Sequence, residues 1–276
     1  MNVPTSARGR SIGAGALWAL AAAAVAAVSV ALPASAAPAA RPDHARPTVT
    51  AAAAPPTTGA VPTGAPAASG SPTRCTATNL VTVQAYVAQA LSNRVTQLNA
   101  LGVAVGAAAD LTAADRSTLS SDVASELSGI QGLQVKLPAD TTCPAVAADG
   151  RAMVVDFRVY VVMTPQVHLT VSADTESAVA ARVAGLEPRL QAAITAAGQA
   201  GRNVAAAQAA LTDLETQVTS AQQSGSGIST QVLAFTPASY PGCWATFRAD
   251  RLTLKKGQQA LRQVDGDLHK ILNAVG

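Results

Sequence analysis

The three cysteines, Cys75, Cys143 and Cys243, are the residues with the widest chemical repertoire in this chain. Thiols bind metals, act as nucleophiles or form disulfides. No histidine or acidic residue accompanies them in a motif that would support a catalytic cysteine. Cys75 begins the first predicted helix and Cys143 follows the second, so antiparallel helices would place both at one end. The sequence therefore predicts a Cys75–Cys143 disulfide and leaves Cys243 as a free thiol or a link to another chain.

The histidines offer no metal site, because His44, His168 and His269 lack partners at ligand spacing. The Ser/Gly run at 224–227 has neither the lysine of a phosphate loop nor the order of a nucleophile elbow. We expect no catalytic residue, no metal and no cofactor, and the sequence identifies no reaction.

Four aromatic residues fall within thirteen positions, together with two prolines and a cysteine: Phe235, Tyr240, Trp244 and Phe247. A candidate binding tip consists of Tyr240, Cys243, Trp244 and Phe247, whose rings would contact a sugar, a peptide or a protein partner. The alternative is that these rings fill the end of a helical bundle. The sequence favours this alternative, because an alanine-rich core buries little area there.

The N-terminus indicates where the protein resides. Residues 1–36 contain Arg8 and Arg10, an apolar run from Ser11 to Leu32, and then Pro33 before Ala34-Ser35-Ala36. This pattern predicts a signal peptide cleaved before Ala37. The run of about 22 residues is also long enough to span a bilayer, so an uncleaved anchor is the alternative. Both place the remaining chain outside the cytoplasm, secreted or associated with the cell envelope.

Residues 37–74 consist mainly of Ala, Pro, Thr, Gly and Ser, which predicts a disordered linker. A spacer, a glycosylated stalk and a processed leader all fit this composition. The formal net charge of +3 falls to +1 without Arg8 and Arg10, leaving 17 basic and 16 acidic side chains. That balance gives no basic surface for nucleic acid or for anionic lipid.

Apolar periodicity then predicts that residues 75–276 form one all-α domain. One stripe runs through Val179, Val183, Leu186, Leu190 and Ile194, and a second through Val204, Ala207, Leu211, Leu214 and Val218. Each stripe lies on one face of a helix, and the glycines between them suit a reversal. We expect an elongated helical bundle or antiparallel coiled coil of about five to six helices.

Several helix boundaries follow from local signals. We expect a first helix over Leu80–Leu101 and a second that begins after Thr112, with Asp115 completing a capping box. Pro188 should bend or split the fourth helix near Glu187, and the last helix should span about Thr246–Ala274.

The segment 151–171 is ambiguous between helix and strand. Val155, Phe157, Val159, Val161 and Met163 alternate as in a strand, yet the rest of the chain offers no strand to pair with. We favour helix to about Tyr160, followed by a short extended or kinked passage at Thr164-Pro165, over a local hairpin. Asp156 and Arg158 interrupt this segment and are interpreted as a buried structural ion pair.

The leader, the linker and the segment from Asp156 to Asp174, reading DFRVYVVMTPQVHLTVSAD, resemble exported Ala-rich helical proteins of GC-rich actinobacteria. The resemblance implies an extracytoplasmic location and an all-α fold. It implies no activity and transfers no functional residue.

These observations lead to one expected function and two competitors. We expect an exported helical scaffold or binding protein, not an enzyme, with an unidentified envelope or extracellular partner. The long apolar stripes also fit self-association through helices. The competitors are a membrane-active, pore-forming-like helical protein, suggested by the apolar stretch 153–171, and an enzyme without a recognisable motif.

Overall fold

A computed structural model describes residues 74–276, which fold into a bundle of α-helices. The predicted all-α bundle is confirmed, and no strand occurs in this range. The predicted signal peptide or anchor at 1–36, and all of the predicted linker at 37–74 except Arg74, lie outside the described residues.

The helices are named here in chain order. They are α1 (Leu80–Ala107), α2 (Ala113–Lys136), α3 (Cys143–Val155), α4 (Thr164–Ala184), α5 (Glu187–Gln199), α6 (Ala205–Gly225), α7 (Ile228–Leu233) and α8 (Cys243–Val275). Short 3₁₀ turns span Leu137–Ala139 and Pro237–Ser239, and a π-helical turn spans Val159–Met163. Helix α1 continues six residues beyond its predicted end at Leu101, because Leu101 and Val105 both remain in the core.

Helices α1 and α2 form an antiparallel pair. The Gln84 amide donates to the Leu137 carbonyl at one end, and Arg116 donates to the Val105 carbonyl at the other. Thr112 caps α2 as predicted, since its hydroxyl accepts from the Asp115 N–H at 3.1 Å. The other half of the predicted capping box, in which the Asp115 side chain accepts from the Thr112 N–H, is wrong. The Thr112 N–H donates to the carboxylate of Asp174 in α4, so a distant helix supplies this acceptor.

The fourth predicted helix is split where its proline predicted. Helix α4 ends at Ala184 and α5 begins at Glu187, which places Pro188 in the first turn of α5, where its missing N–H costs nothing. The two predicted stripes still meet in one core: Val183 and Ile194 pack with Leu211 and Leu214 of α6.

The expected extended segment near 155–171 is wrong, as is the kink at Thr164-Pro165. The chain leaves the helix only at Asp156–Arg158 and then continues through the π-helical turn into α4. Pro165 has no N–H to donate, and the Thr164 N–H and hydroxyl both donate to the Val159 carbonyl. The apparent alternation arises because this segment is buried on several sides: Val159, Val162, Met163 and Val167 all lie in the core.

The core consists of three clusters of buried side chains. One joins α1, α2, α3 and the start of α4; the second joins the end of α4 with α5, α6 and the second half of α8. The third joins the first half of α4 with α7 and the first half of α8. Helices α6 and α8 run antiparallel along each other. Arg202, just before α6, donates a hydrogen bond to the carbonyl of Gly276, just after α8, and Ser224 near the end of α6 lies beside Gly257 of α8. Whether these helices supercoil as an antiparallel coiled coil stays a prediction.

Among the described helices, none is both long enough and apolar enough to cross a membrane.

A glycine in α2 provides room for an aromatic ring. A Cβ atom at Gly129 would lie 2.0 Å from Cε1 of Phe157, whereas a Cβ at Gly132, one turn later, would meet nothing within 4 Å. Phe157 packs against the first core cluster from the break between α3 and α4. Gly129 therefore fixes the position of that break against α2.

We predict that Gly129→Ala lowers the free energy of unfolding by about 1–3 kcal/mol, because the added methyl displaces the Phe157 ring. The exposed control Gly132→Ala should gain up to about 1 kcal/mol from helix propensity. Urea unfolding measures both. In a Phe157→Ala background, Gly129→Ala should no longer destabilise; a loss of the same size there would contradict this role for the glycine.

Candidate functional site

The predicted binding tip separates into an inner and an outer half. Cys243 begins α8 and Phe247 lies one turn further, and their exposed fractions are only 2% and 4%. The Phe247 ring meets the Phe235 ring edge to face, with centroids 5.2 Å apart. Burial raises the pKa of the Cys243 thiol, which keeps it protonated. The inner half therefore belongs to the third core cluster.

The outer half of the tip faces solvent. Trp244 is 45% exposed at the first turn of α8. Tyr240 is half-buried, follows the Pro237–Ser239 turn and is joined to Pro241 by a cis peptide bond. The Arg158 guanidinium lies over the Tyr240 ring, 4.5 Å from its centroid. Of the four predicted tip residues, Tyr240 and Trp244 are thus the two able to contact a partner.

Arg158 occupies an unusual backbone position. Its φ of 33° lies in the left-handed region, which residues other than glycine seldom adopt. The conformation ends the break after α3 and turns the chain into the π-helical turn. The predicted buried ion pair with Asp156 is wrong: Asp156 is exposed, and Arg158 packs on an aromatic ring instead.

A second arginine–tyrosine pair includes Tyr160, which follows Arg158 by two residues. The Arg94 guanidinium of α1 lies 5.0 Å from the centroid of the Tyr160 ring, and it donates to the Ala90 carbonyl. Tyr86 also contributes to the electrostatic environment of Arg94. Sequence reasoning missed this pair, because Arg94 and Tyr160 are 66 positions apart and no motif joins them. We call Tyr86, Arg94, Arg158, Tyr160, Tyr240 and Trp244 the arginine–tyrosine surface.

Cys75 and Cys143 are joined in a disulfide, with sulfur atoms 2.06 Å apart. The bond ties the residues before α1 to the first residue of α3 at one end of the α1–α2 pair. This is the pairing that antiparallel helices predict. Cys243 is free and buried.

Within residues 74–276, no group of three or more His, Cys, Asp and Glu side chains is arranged to hold a metal ion. His168 is half-buried in α4, and burial, followed by the charge of Arg251, lowers its pKa.

Comparison with known proteins adds no relative: no protein-family model, no curated protein and no solved structure matches the chain.

Two buried glutamates stand out among the polar groups of the interior. Glu176 of α4 is 3% exposed, and within the described chain neither carboxyl oxygen has a hydrogen-bond partner. It lies where α4, α6 and α8 meet, so close to Gly257 that a Cβ there would be 1.7 Å from its Oε1. Burial raises its pKa to about 8. Burial, followed by the charge of Asp122, also raises the pKa of Glu126 in α2 to about 8. Both carboxyls are therefore protonated at neutral pH.

The Glu176 carboxyl predicts a pH dependence of stability. Between pH 4.5 and about 8 the folded chain holds this proton and the unfolded chain has lost it, so the free energy of unfolding falls as pH rises. One such group contributes a slope of about −1.4 kcal/mol per pH unit. We predict that Glu176→Gln removes that contribution and makes the profile less steep across this window, while Glu126, whose pKa is also raised to about 8, keeps contributing its own slope.

Chemical denaturation at several pH values measures the slope, and helicity at pH 5 serves as the control for intact folding. The constant cost of burying an amide shifts the whole curve without changing its slope. A profile parallel to that of the wild type would show that Glu176 does not titrate as described.

The division of the tip makes a separate prediction. Phe247→Ala should cost about 3–5 kcal/mol, because it leaves a cavity in the third core cluster. Trp244→Ala, with its ring half in solvent, should change stability by no more than about 0.5 kcal/mol. Thermal and urea unfolding of both variants checks this. An equal loss of unfolding free energy in the two variants would show that Trp244 contributes to the core as Phe247 does.

Proposed function

We propose that this protein is an exported helical binding protein that works in the cell envelope or the extracellular space. The observation that carries the proposal is the disulfide between Cys75 and Cys143. Disulfides persist in oxidising compartments and are rare in the cytosol. The predicted signal sequence at 1–36 supports the same location from an independent part of the chain.

A binding role is supported by what the folded part presents to solvent. Tyr86, Tyr160 and Trp244 are each exposed by about half (47%, 46% and 45%), while Phe247 is buried. Tyr and Trp are enriched in binding surfaces because their rings combine apolar area with a polar group.

The disulfide and the location are tested together. The full chain is expressed in its native host, fractions are separated, and cysteines are alkylated before and after reduction for mass spectrometry. We expect the chain in the extracytoplasmic fraction, beginning at Ala37, with Cys75 and Cys143 oxidised. Cys243 should react with the alkylating reagent only after unfolding, since it is buried.

A cytoplasmic chain with all three thiols reduced would contradict the proposal. A chain that retains Met1 and remains with the membrane would support the anchored form of the same proposal. A Cys243→Ser variant is the matched control, because it removes a thiol without touching the disulfide.

A further inference from the structure

The arginine–tyrosine surface contains two cations without an acidic partner. In residues 74–276 neither Arg94 nor Arg158 forms an ion pair, since the basic side chains paired with an aspartate there are Lys136, Arg182, His269 and Lys270. Both arginines lie against tyrosine rings instead. Cation–π contacts hold a guanidinium in place without neutralising its charge.

Arg94 shows the consequence most clearly. It is half-buried, its pKa is lowered by burial, and the tyrosines Tyr160 and Tyr86 supply the opposing electrostatic contributions. Within the part of the chain that the structure describes, its Nη1 donates a hydrogen bond to the Ala90 carbonyl, and its buried Nε has no partner. A desolvated guanidinium with free donors gains most from an anion that it binds in a bidentate manner. The surface is thus complementary to negative charge.

The rings beside the arginines narrow the chemistry of the anion. Tyr160, whose ring lies against Arg94, is about half exposed, and so are Tyr86, which contributes to the electrostatic environment of Arg94, and Trp244. Flat, half-exposed aromatic rings contact the C–H faces of pyranose sugars while their polar groups stay in solvent. A sugar that carries a carboxylate uses both the rings and the guanidinium groups.

We propose that the arginine–tyrosine surface binds acidic polysaccharides whose pyranose units carry carboxylates. The inference rests on the proposed function, since such polymers are met outside the cytoplasm, and it names the partner that the binding protein recognises. The charge needed for binding is local: the chain without Arg8 and Arg10 has a formal net charge of only +1.

The probe is polygalacturonate oligosaccharide, titrated calorimetrically into the purified, disulfide-bonded chain at low salt. We expect binding that weakens as salt is raised, and no binding of uncharged dextran oligosaccharide. Arg94→Gln and Arg158→Gln should each weaken binding about tenfold, the equivalent of one charge-assisted contact at 1.4 kcal/mol.

The matched control is Arg189→Gln, an exposed arginine of α5 that lies outside this surface. It should leave the affinity unchanged. Thermal unfolding of each variant verifies the fold; if Arg158→Gln disturbs the left-handed turn, Arg94→Gln and Tyr160→Ala carry the test alone.

Three outcomes overturn the proposal. One is the absence of polygalacturonate binding, and another is equal loss of affinity in the Arg189 control. The third is equally tight binding of poly-glutamate, which would identify an acidic peptide as the partner. These three outcomes leave the proposed function untouched, because that proposal is decided separately by the compartment of the chain and the oxidation state of its cysteines.

Discussion

The fold depends on close contact between helices that have little apolar surface to bury. Alanine dominates the apolar residues of this chain, and each buried alanine contributes far less than a leucine. The helices compensate by approaching one another closely where α4, α6 and α8 meet. A Cβ at Gly225 would lie 3.2 Å from the Ala173 carbonyl, and one at Gly257 would overlap the Glu176 carboxyl. These two glycines set the separation on which the second and third core clusters depend.

Close approach leaves the polar groups at this junction with few partners, and this shapes the rest of the molecule. Glu176 stays protonated between the helices, and Asp174, two residues earlier, accepts from both Thr112 and Ser229 and so ties α2 and α7 to α4. The contacts of Asp174 therefore hold three helices of the bundle together. The proposed binding residues Tyr86, Tyr160 and Trp244 instead lie at the surface, each with about half of its side chain exposed.

Sequence periodicity predicted the helices because long amphipathic stripes have one favourable solution in water. Other sequence signals predicted the Thr112 cap and the split at Pro188, and the antiparallel order of α1 and α2 predicted the disulfide pairing. Periodicity failed at 155–171, because this segment is buried on several sides and its apolar residues no longer mark a single buried face. The Arg94–Tyr160 contact and the glycine-mediated junction arise from tertiary packing between distant segments, which no local pattern encodes. The predicted leader and linker stay predictions.

Hydrogen exchange of the Gly257→Ala variant tests the central claim most directly. If the α4–α6–α8 junction holds the second and third core clusters together, the added methyl should reduce amide protection in all three helices at once. Helices α1 and α2 should keep most of their protection. Gly266→Ala, also in α8 but with open space around its Cβ, is the control and should not reduce protection, since the added methyl only raises helix propensity. Unchanged protection in Gly257→Ala, or a loss confined to α8, would contradict the account.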